Sequence, residues 1–302
     1  MNYFYLYSSF LKKFYSPNPD KKLKVVFDCL NSPTSIILRR LFRKEITEKR
    51  FTLINADLKK SPQFFNPLEK KAINNLQAAV RHFKADLGII FDADADRMFC
   101  LDDKSRFVAP EAVARLLIWH LKPNKMIIDA VSGWLVADSS VILSKVGQFF
   151  IKQKIRVKNA DFGAEHSGHY YFKEFFGLDS GILAAIEVIN AVSCLPYKLS
   201  DFVEFLPKYY RSEINLKCKA ESIEHKENLL KKIEEKNLLL NAKYLIRISH
   251  LDGLTMEFSD WWFNLRFSNT EPLLRLNVEA KSQSSLKGQV SILADFIETN
   301  QL

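Results

Sequence analysis

The sequence predicts an α/β fold: two mixed or parallel α/β layered domains followed by a C-terminal α+β domain with an antiparallel sheet. In the first two thirds of the chain, short apolar runs alternate with segments of helical periodicity, which is typical of helices packed on a largely parallel sheet. In the last third, several strands with polar interleaving follow one another between two helices, as in an antiparallel sheet with one covered face. We therefore expect three domains, over residues 1–104, 105–207 and 208–302.

Each element is predicted from its apolar pattern. Strands are expected where short β-branched or aromatic runs occur, and helices where apolar residues recur every three to four positions. In the α/β domains, the strands are predicted over 23–28, 51–55, 85–90, 125–129 and 159–162. The helices there are predicted over 34–43, 68–84, 110–121, 149–157 and 180–193. In the third domain, strands are predicted over 244–249, 253–258, 261–266 and 273–279, between helices over 223–236 and 285–299.

The bulk composition limits the class of protein. With 302 residues, 47% hydrophobic and 26% charged, the chain has the composition of a globular protein, and no stretch is long and apolar enough to span a bilayer. The four cysteines have neither metal-binding nor disulfide spacing, and no signal peptide is recognised, so we expect a cytoplasmic location. The net charge of +9 is compatible with phosphorylated ligands. A nucleic-acid partner is not expected, because no binding motif accompanies the charge.

Three carboxylates stand at alternate positions, Asp92, Asp94 and Asp96, and Arg97 follows them. They come after the apolar run 85–90, so we expect the acids where a buried strand opens into a loop. Two like charges at a separation of about 4 Å repel by about 4 kcal/mol in a surface-like dielectric. A divalent cation removes that penalty, and an all-oxygen set suits Mg²⁺. The alternative is a solvated acidic turn.

Glu165, Ser167 and His169 alternate within the glycine-bounded segment 163–169. In an extended loop these side chains would point to one side. A carboxylate, a hydroxyl and an imidazole on one face can hold neighbouring sugar hydroxyls, each of which needs a donor and an acceptor. The alternative is a glycine-bounded turn with a surface histidine pair.

Polar residues also fill the connection between two predicted strands of the third domain. They are Arg266, Ser268, Asn269 and Thr270. Arginine offers a planar fork of N–H donors, the hydroxyl and amide groups add more, and turn amides can point inward to an anion. This combination predicts a phosphate-binding loop. The alternative is an ordinary hairpin turn, because serine, asparagine and proline are common loop residues.

In this order and at this spacing, the three loops resemble those of the α-D-phosphohexomutase family of phosphoglucomutases and phosphomannomutases. Residues 92–97 resemble the family's D-G-D-[AG]-D-R metal loop, 163–169 its G-E-x-S-G-H sugar loop, and 266–272 its R-x-S-[GN]-T-E-P phosphate loop. The resemblance covers nearly the whole chain. It implies an isomerase that moves a phosphoryl group between C1 and C6 of a hexose through a bisphosphorylated intermediate, with metal and arginine neutralising charge.

The resemblance also implies roles for individual residues. The implied Mg²⁺ ligands are Asp92, Asp94 and Asp96. The implied catalytic residue, beside the transferring phosphoryl group, is Arg97. The implied substrate-binding residues are Glu165, Ser167 and His169 for the sugar, and Arg266, Ser268, Asn269 and Thr270 for the phosphate that does not react. The implied ligands are glucose or mannose 1- and 6-phosphates and the hexose 1,6-bisphosphate.

The resemblance departs from the family in several places. It covers the last three of four domains; the T-x-S-H-N-P loop of the first domain, whose phosphoserine carries the phosphoryl group, has only a faint echo in 16–19, which is interpreted as a linker. Ala93 and Ala164 replace family glycines, while Val131 and Gln148 stand where a basic residue and a histidine are usual. We therefore expect a truncated phosphohexomutase-type protein without its serine domain, either a gene fragment or one half of a split enzyme that works with a separate serine-domain polypeptide. The alternative is a non-catalytic sugar-phosphate-binding remnant or pseudoenzyme.

Overall fold

The computed structural model describes residues 3–61, 66–136, 140–217, 223–268 and 271–300. The chain divides into two compact units. Unit 1 comprises Met1–Ile128, Asp138–Ile142 and Lys152–Leu206, and unit 2 comprises Asp129–Ala137, Leu143–Ile151 and Pro207–Leu302. Within the described ranges the strands form three five-stranded sheets. The three domain boundaries expected from the sequence stay a prediction.

The described elements follow the predicted order, with additions. The helices are α1 (Tyr3–Leu11), α2 (Thr34–Leu41), α3 (Arg43–Thr47), α4 (Lys70–Phe83), α5 (Pro110–Leu121), α6 (Gln148–Lys158), α7 (Gly181–Cys194), α8 (Leu199–Phe205), α9 (Ile223–Asn241) and α10 (Gln283–Asn300). The strands are β1 (Val25–Asp28), β2 (Phe51–Ile54), β3 (Leu87–Phe91), β4 (Met98–Leu101), β5 (Phe107–Val108), β6 (Met126–Asp129), β7 (Val141–Ser144), β8 (Phe162–Ala164), β9 (Tyr170–Phe172), β10 (Leu178–Asp179), β11 (Tyr210–Lys217), β12 (Leu245–Ser249), β13 (Leu254–Phe258), β14 (Trp261–Phe267) and β15 (Leu273–Ala280). The apolar pattern of the sequence does not predict α1, α3, α8, β4, β5, β7, β9, β10 or β11.

The first sheet is covered on both faces. Its order is β2-β1-β3-β4-β5, with β2, β1 and β3 parallel and the last two strands antiparallel. Val26 and Ile90 pack with α4, while Phe27 and Phe91 stack with their ring centroids 6.4 Å apart on the other side, where Phe42 joins them. Because side chains alternate along a strand, both sets are apolar, so β3 is apolar throughout and β1 is apolar up to its last residue, Asp28.

The second sheet has the order β10-β9-β8-β6-β7, with β6 and β8 parallel and β8, β9 and β10 successively antiparallel. Ser180 caps α7 by accepting a hydrogen bond from Leu183 N at 3.1 Å. Every residue of α7 except Cys194 is buried, and this helix contacts β3 and β4 of the first sheet. In the described ranges, no single helix is long and apolar enough to cross a membrane, although α7 and α8, bent by 86°, pass that test as a pair.

The third sheet is antiparallel throughout, in the order β11-β15-β14-β13-β12. One face carries Phe263, Leu265, Leu276 and Val278, which are fully buried in a core that includes residues of α9 and α10. Antiparallel sheets often pack one face on helices and keep the other polar, which is the alternation that predicted this architecture. The predicted fold class is confirmed in all three sheets.

Candidate functional site

The loop between β3 and β4 gathers the three aspartates. It follows Phe91, which pairs with Met98 in the antiparallel ladder. The loop turns at Ala95, whose φ is 60° and whose backbone N–H donates to the carbonyl of Asp92 at 3.3 Å. One carboxylate oxygen from each of Asp92, Asp94 and Asp96 lies within 4.8 Å of those of the other two. The structure therefore places the acids together at the end of a buried strand.

The three carboxylates differ in exposure. Asp92 is buried, with 4% of its surface exposed, whereas Asp96 is half-buried and Asp94 is exposed. Burial raises the pKa of Asp92; hydrogen bonds from Arg97 oppose that shift, and neighbouring Asp96 adds to it. A cation among these oxygens would relieve both the burial of charge and the repulsion. The donor set consists only of carboxylate oxygens, so it fits a hard divalent cation.

Arg97 is held against the acidic cluster. Its Nε donates to Asp92 Oδ2 at 2.6 Å, and its backbone N–H donates to Asp92 Oδ1 at 3.2 Å. The Arg97 side chain nevertheless keeps 33% of its surface exposed. Asp92 thus fixes the direction of the guanidinium while part of it stays open to solvent. Its place beside a phosphoryl group stays a prediction.

In the acidic loop the residue with a left-handed backbone is Ala95, whereas the family has a glycine at the position of Ala93. Ala93 and Ala164 replace family glycines, yet neither has a positive φ; Ala95 does. An L-residue in the left-handed region costs about 1–2 kcal/mol, because its Cβ crowds the following carbonyl. The acidic loop therefore carries its backbone strain at Ala95, and not at Ala93.

Two matched substitutions test this location of strain. Ala95→Gly should be more stable than Ala93→Gly by about 1 kcal/mol, because only the first relieves a left-handed alanine, while both raise the entropy of the unfolded chain. Chemical denaturation of the two variants beside the parent protein measures the difference. Equal loss of stability in both variants would contradict the assignment of strain to Ala95.

The segment Glu165 to Gly168 is a turn that closes the β8–β9 hairpin. Gly168 N donates to the carbonyl of Glu165 at 3.0 Å, and Glu165 N donates to the carbonyl of His169 at 3.0 Å. Gly168 has a φ of 88°, and a Cβ added there would lie 2.7 Å from the ring of Phe99. The expectation of an extended loop is therefore wrong, because the left-handed glycine reverses the chain.

The three polar side chains of this turn still converge. Ser167 Oγ lies 2.8 Å from His169 Nδ1, and Glu165 Oε2 lies 3.2 Å from the same nitrogen. Glu165 is only 3% exposed, and it also accepts a hydrogen bond of 2.8 Å from the Tyr171 hydroxyl. Burial alone would lower the pKa of His169, but Asp96 and Glu165 raise it to about 9. Two carboxylates therefore flank the imidazole of His169 and favour its protonated form when no cation is bound beside it.

The acidic loop and the β8–β9 turn meet within unit 1. Met98 N donates to the carbonyl of Gly168 at 3.1 Å, and Arg97 and His169 form an isolated antiparallel bridge. His169 Nε2 lies 3.5 Å from Asp96 Oδ1. Two segments some 70 positions apart in the sequence thus form one polar site.

Sequence analysis did not single out Asp179 as a site residue. It lies just before α7, and one of its carboxylate oxygens lies within 4.8 Å of ligand atoms of Asp96 and His169. Its Oδ1 pairs with Lys152 Nζ at 2.8 Å. At the start of α7, Gly181 N donates to the carbonyl of Ala95 at 2.9 Å. The only sequence signal for Asp179 was its place directly before a capping serine.

The predicted phosphate loop lies in unit 2. Arg266 is 8% exposed, and its Nε has no hydrogen-bonding partner in the part of the chain that the structure describes, with Asp252 Oδ2 4.0 Å away. Ser268 N donates to the carbonyl of Leu273 at 2.8 Å, which holds the connection between β14 and β15. Asn269 and Thr270 lie outside the described residues.

The segment interpreted as a linker runs along α7. Ser16 N donates to Asn190 Oδ1 at 3.0 Å, and Asn18 N donates to Ser193 Oγ at 2.8 Å. Both acceptors belong to α7, so the backbone of this segment is tied to a buried helix of unit 1. The interpretation of the segment as a linker stays a prediction.

Comparison with known proteins identifies the class to which this chain belongs. Three domain descriptions of one family match in order: phosphoglucomutase/phosphomannomutase alpha/beta/alpha domain II over residues 5–105, domain III over 120–210, and the C-terminal domain over 213–295. The structure superposes on a phosphoglucomutase/phosphomannomutase family protein from Burkholderia thailandensis with a TM-score of 0.77, at 20% identity, over 99% of this chain and 64% of that one. A phosphomannomutase structure from Thermus thermophilus, described as putative there, gives a TM-score of 0.73 at 16% identity, over 99% and 66%.

Curated relatives have the same family name. The phosphomannomutase of Vibrio cholerae is 35% identical over 235 residues, which are 73% of this chain and 49% of that protein. The phosphomannomutase of Methanocaldococcus jannaschii is 27% identical over 292 residues, 92% of this chain and 62% of that protein. The chain spans about half the length of the first of these relatives. This chain belongs to the α-D-phosphohexomutase family.

Proposed function

We propose that this chain takes part in phosphohexomutase-type phosphoryl transfer, interconverting hexose 1-phosphate and hexose 6-phosphate, with a serine domain supplied in trans. The observation that carries the proposal is the 3.5 Å approach of His169 Nε2 to Asp96 Oδ1, where the acidic loop meets the β8–β9 turn. This junction sets cation-binding oxygens, a guanidinium and polar side chains for a sugar next to one another. Phosphoryl transfer needs mainly positioning and charge neutralisation, and these groups offer both.

The all-oxygen set fits Mg²⁺, which Asp92, Asp94 and Asp96 would hold. When bound, the ion supplies neutralising charge for a phosphoryl group. Arg97 offers its exposed N–H groups to a phosphoryl oxygen, since Asp92 occupies Nε and sets the direction of the guanidinium. An arginine suits the end of the acidic loop because it can bind Asp92 through Nε and a phosphoryl oxygen through its other N–H groups.

The β8–β9 turn would bind the sugar. Ser167 and His169 are half-buried, so they can reach a ligand, whereas Glu165 is buried and orients the imidazole through Nδ1. The sequence predicts that Glu165 contacts the sugar directly; its proposed role here is mainly to orient His169, which contacts the sugar. Arg266 and Ser268, with Asn269 and Thr270 of the same loop, would hold the distal phosphate. Among the described residues Arg266 Nε has no hydrogen-bonding partner, which supports an anion there.

A complementation assay tests the mutase activity. The chain alone should give no turnover of glucose 1-phosphate or mannose 1-phosphate. Adding the separately expressed first domain of a full-length relative should give turnover, because that domain would supply the phosphoserine. Glucose 1,6-bisphosphate is included to phosphorylate the serine. No turnover in either mixture, while both polypeptides are folded, would exclude the trans-supplied form of the proposal.

Asp92→Asn should weaken Mg²⁺ binding by at least tenfold, because it removes one of three carboxylate charges from the set and leaves Arg97 without its ion pair. Isothermal titration with MgCl₂ measures the change. The matched control is Asp260→Asn, since the Asp260 side chain is 71% exposed and belongs to neither group of candidate metal ligands. An equal loss in both variants would contradict a site at the acidic loop.

One observation favours the second candidate, a non-catalytic binder of hexose phosphates. Val131 is fully buried, and its backbone N–H donates to Asp129 Oδ1 at 3.0 Å, so no basic side chain is present where the family often has one. Calorimetry with glucose 1-phosphate distinguishes the two candidates. Binding without turnover in the complementation assay favours the binder, and no binding at millimolar ligand excludes it.

The glucose or mannose identity of the sugar and a cytoplasmic location also stay proposals. In the described part of the chain Cys29, Cys100 and Cys194 are free thiols, which agrees with a reducing compartment.

A further inference from the structure

A second set of metal-binding atoms lies beside the acidic loop. One ligand atom each from Asp96, His169 and Asp179 lies within 4.8 Å of the other two. This set differs from the all-oxygen set because it has an imidazole and the carboxylate of Asp179, at the end of β10, in place of the carboxylates of Asp92 and Asp94. The three residues are half-buried and belong to unit 1.

The histidine of this set is oriented as a metal ligand. Glu165 Oε2 and Ser167 Oγ both lie against its Nδ1, at 3.2 Å and 2.8 Å, and Nε2 faces Asp96 Oδ1 at 3.5 Å. In metal-binding histidines, the ring nitrogen that faces away from the metal commonly donates its N–H to a carboxylate. This hydrogen bond fixes the tautomer and makes the other ring nitrogen a better ligand. Glu165, itself held by Tyr171, supplies that outer partner here.

One carboxylate oxygen of Asp179 distinguishes this set from an ordinary cluster of ion pairs. Its side chain is only 6% exposed, and Oδ2 is buried with no hydrogen-bonding partner in the described part of the chain, while Oδ1 is paired with Lys152. A buried carboxylate oxygen without a partner is costly, because burial removes the water that solvated it. A cation bound to Asp179 would remove that cost.

We propose that Asp96, His169 and Asp179 bind a divalent transition-metal ion of the Zn²⁺ or Co²⁺ class. Imidazole nitrogen with carboxylate oxygen suits these borderline ions, whereas the all-oxygen set of the same loop suits Mg²⁺. Asp96 belongs to both sets, so the two ions compete for one carboxylate. A transition metal at this set also engages His169, and it therefore acts against both Mg²⁺ and sugar binding.

Paired metal titrations of the full chain test the site, with Co²⁺ as the transition-metal probe. Wild type should bind Co²⁺ with a visible absorption change that reports nitrogen ligation. His169→Gln and Asp179→Asn should each weaken Co²⁺ binding about tenfold or more, while Mg²⁺ binding changes by less than threefold. Asp94→Asn should weaken Mg²⁺ binding about tenfold or more and change Co²⁺ binding by less than threefold. Asp96→Asn should weaken the binding of both ions.

The variants distinguish this site from the Mg²⁺ site. Loss of Co²⁺ affinity in Asp94→Asn equal to that in Asp179→Asn would place Co²⁺ in the acidic loop and overturn the proposal, as would no Co²⁺ binding by wild type. Asp179→Asn also removes the ion pair with Lys152, so thermal melting must show that this variant is folded; if it is not, His169→Gln alone decides. Failure of Mg²⁺ binding with Co²⁺ binding intact would instead contradict the Mg²⁺ part of the proposed function.

Discussion

Gly181→Ala should destabilise the protein by about 2–3 kcal/mol and weaken Mg²⁺ binding, because a Cβ at position 181 would collide with the acidic loop. The added atom would lie 2.5 Å from the carbonyl oxygen of Arg97 and 2.8 Å from that of Ala95. Both are backbone atoms, so neither can move without shifting the loop that carries Asp94 and Asp96. The glycine also donates its N–H to Ala95 O at 2.9 Å, a hydrogen bond that the collision would break.

The helix propensity of alanine acts in the opposite direction. Alanine is favoured over glycine in a helix by up to about 1 kcal/mol, so the steric cost has to exceed that gain. Gly288→Ala in α10 is the matched control, since a Cβ there meets nothing within 4 Å. It should raise the free energy of unfolding by up to about 1 kcal/mol. Chemical denaturation and Mg²⁺ titration compare the variants, and a Gly181→Ala protein as stable as the Gly288→Ala protein would refute the close contact.

Much of the fold follows from local patterns. The predicted helix over 110–121 matches α5, and the strands predicted over 253–258 and 261–266 differ from β13 and β14 by one residue at one end. These elements have strong periodicity, and glycine, proline or acidic residues mark their ends. The acidic cluster was also predictable from a local pattern, because three like charges directly after a buried strand need a compensating charge.

Other elements depend on distant partners. The two residues of β5, Phe107 and Val108, form a strand only because β4 lies beside them. The convergence of Glu165 and His169 depends on the left-handed Gly168, and sequence alternation suggested an extended chain instead. Asp179 lies near Asp96 and His169 only because α7 begins against the acidic loop, a long-range contact with no local signature.

A buried glutamate in unit 2 joins the segment after β6 to the third sheet. Glu279 of β15 is 5% exposed, and its Oε1 accepts hydrogen bonds from Trp134 N at 2.9 Å and from Trp262 Nε1 at 3.2 Å. The Trp134 indole in turn donates to Glu257 Oε1 at 2.7 Å. The carboxylate at position 279 therefore satisfies two donors that its removal would leave without an acceptor.

Glu279→Ala should destabilise the protein by about 2–3 kcal/mol, because an unsatisfied buried donor costs about 1–3 kcal/mol and the lost side chain leaves a cavity. Glu279→Gln keeps an oxygen that can accept both hydrogen bonds, so at neutral pH it should stay within about 1 kcal/mol of wild type. Denaturant unfolding at pH 7 measures both changes. Equal destabilisation by the two substitutions would mean that the negative charge, and not the acceptor, stabilises this contact.

The pH dependence separates the charge from the acceptor. Burial raises the pKa of Glu279 above its ordinary 4.5, although the Trp134 and Trp262 hydrogen bonds oppose the shift. A carboxyl group whose pKa is higher in the folded state binds protons more tightly there, so its stabilising contribution is complete below pH 4.5 and is lost as the pH rises through the folded pKa. Between about pH 4 and pH 7, wild type should therefore lose stability relative to Glu279→Gln, which does not titrate. A constant difference across that range would mean that the carboxyl group has the same pKa folded and unfolded, and the hydrogen bonds from the two tryptophans would then balance the cost of burial.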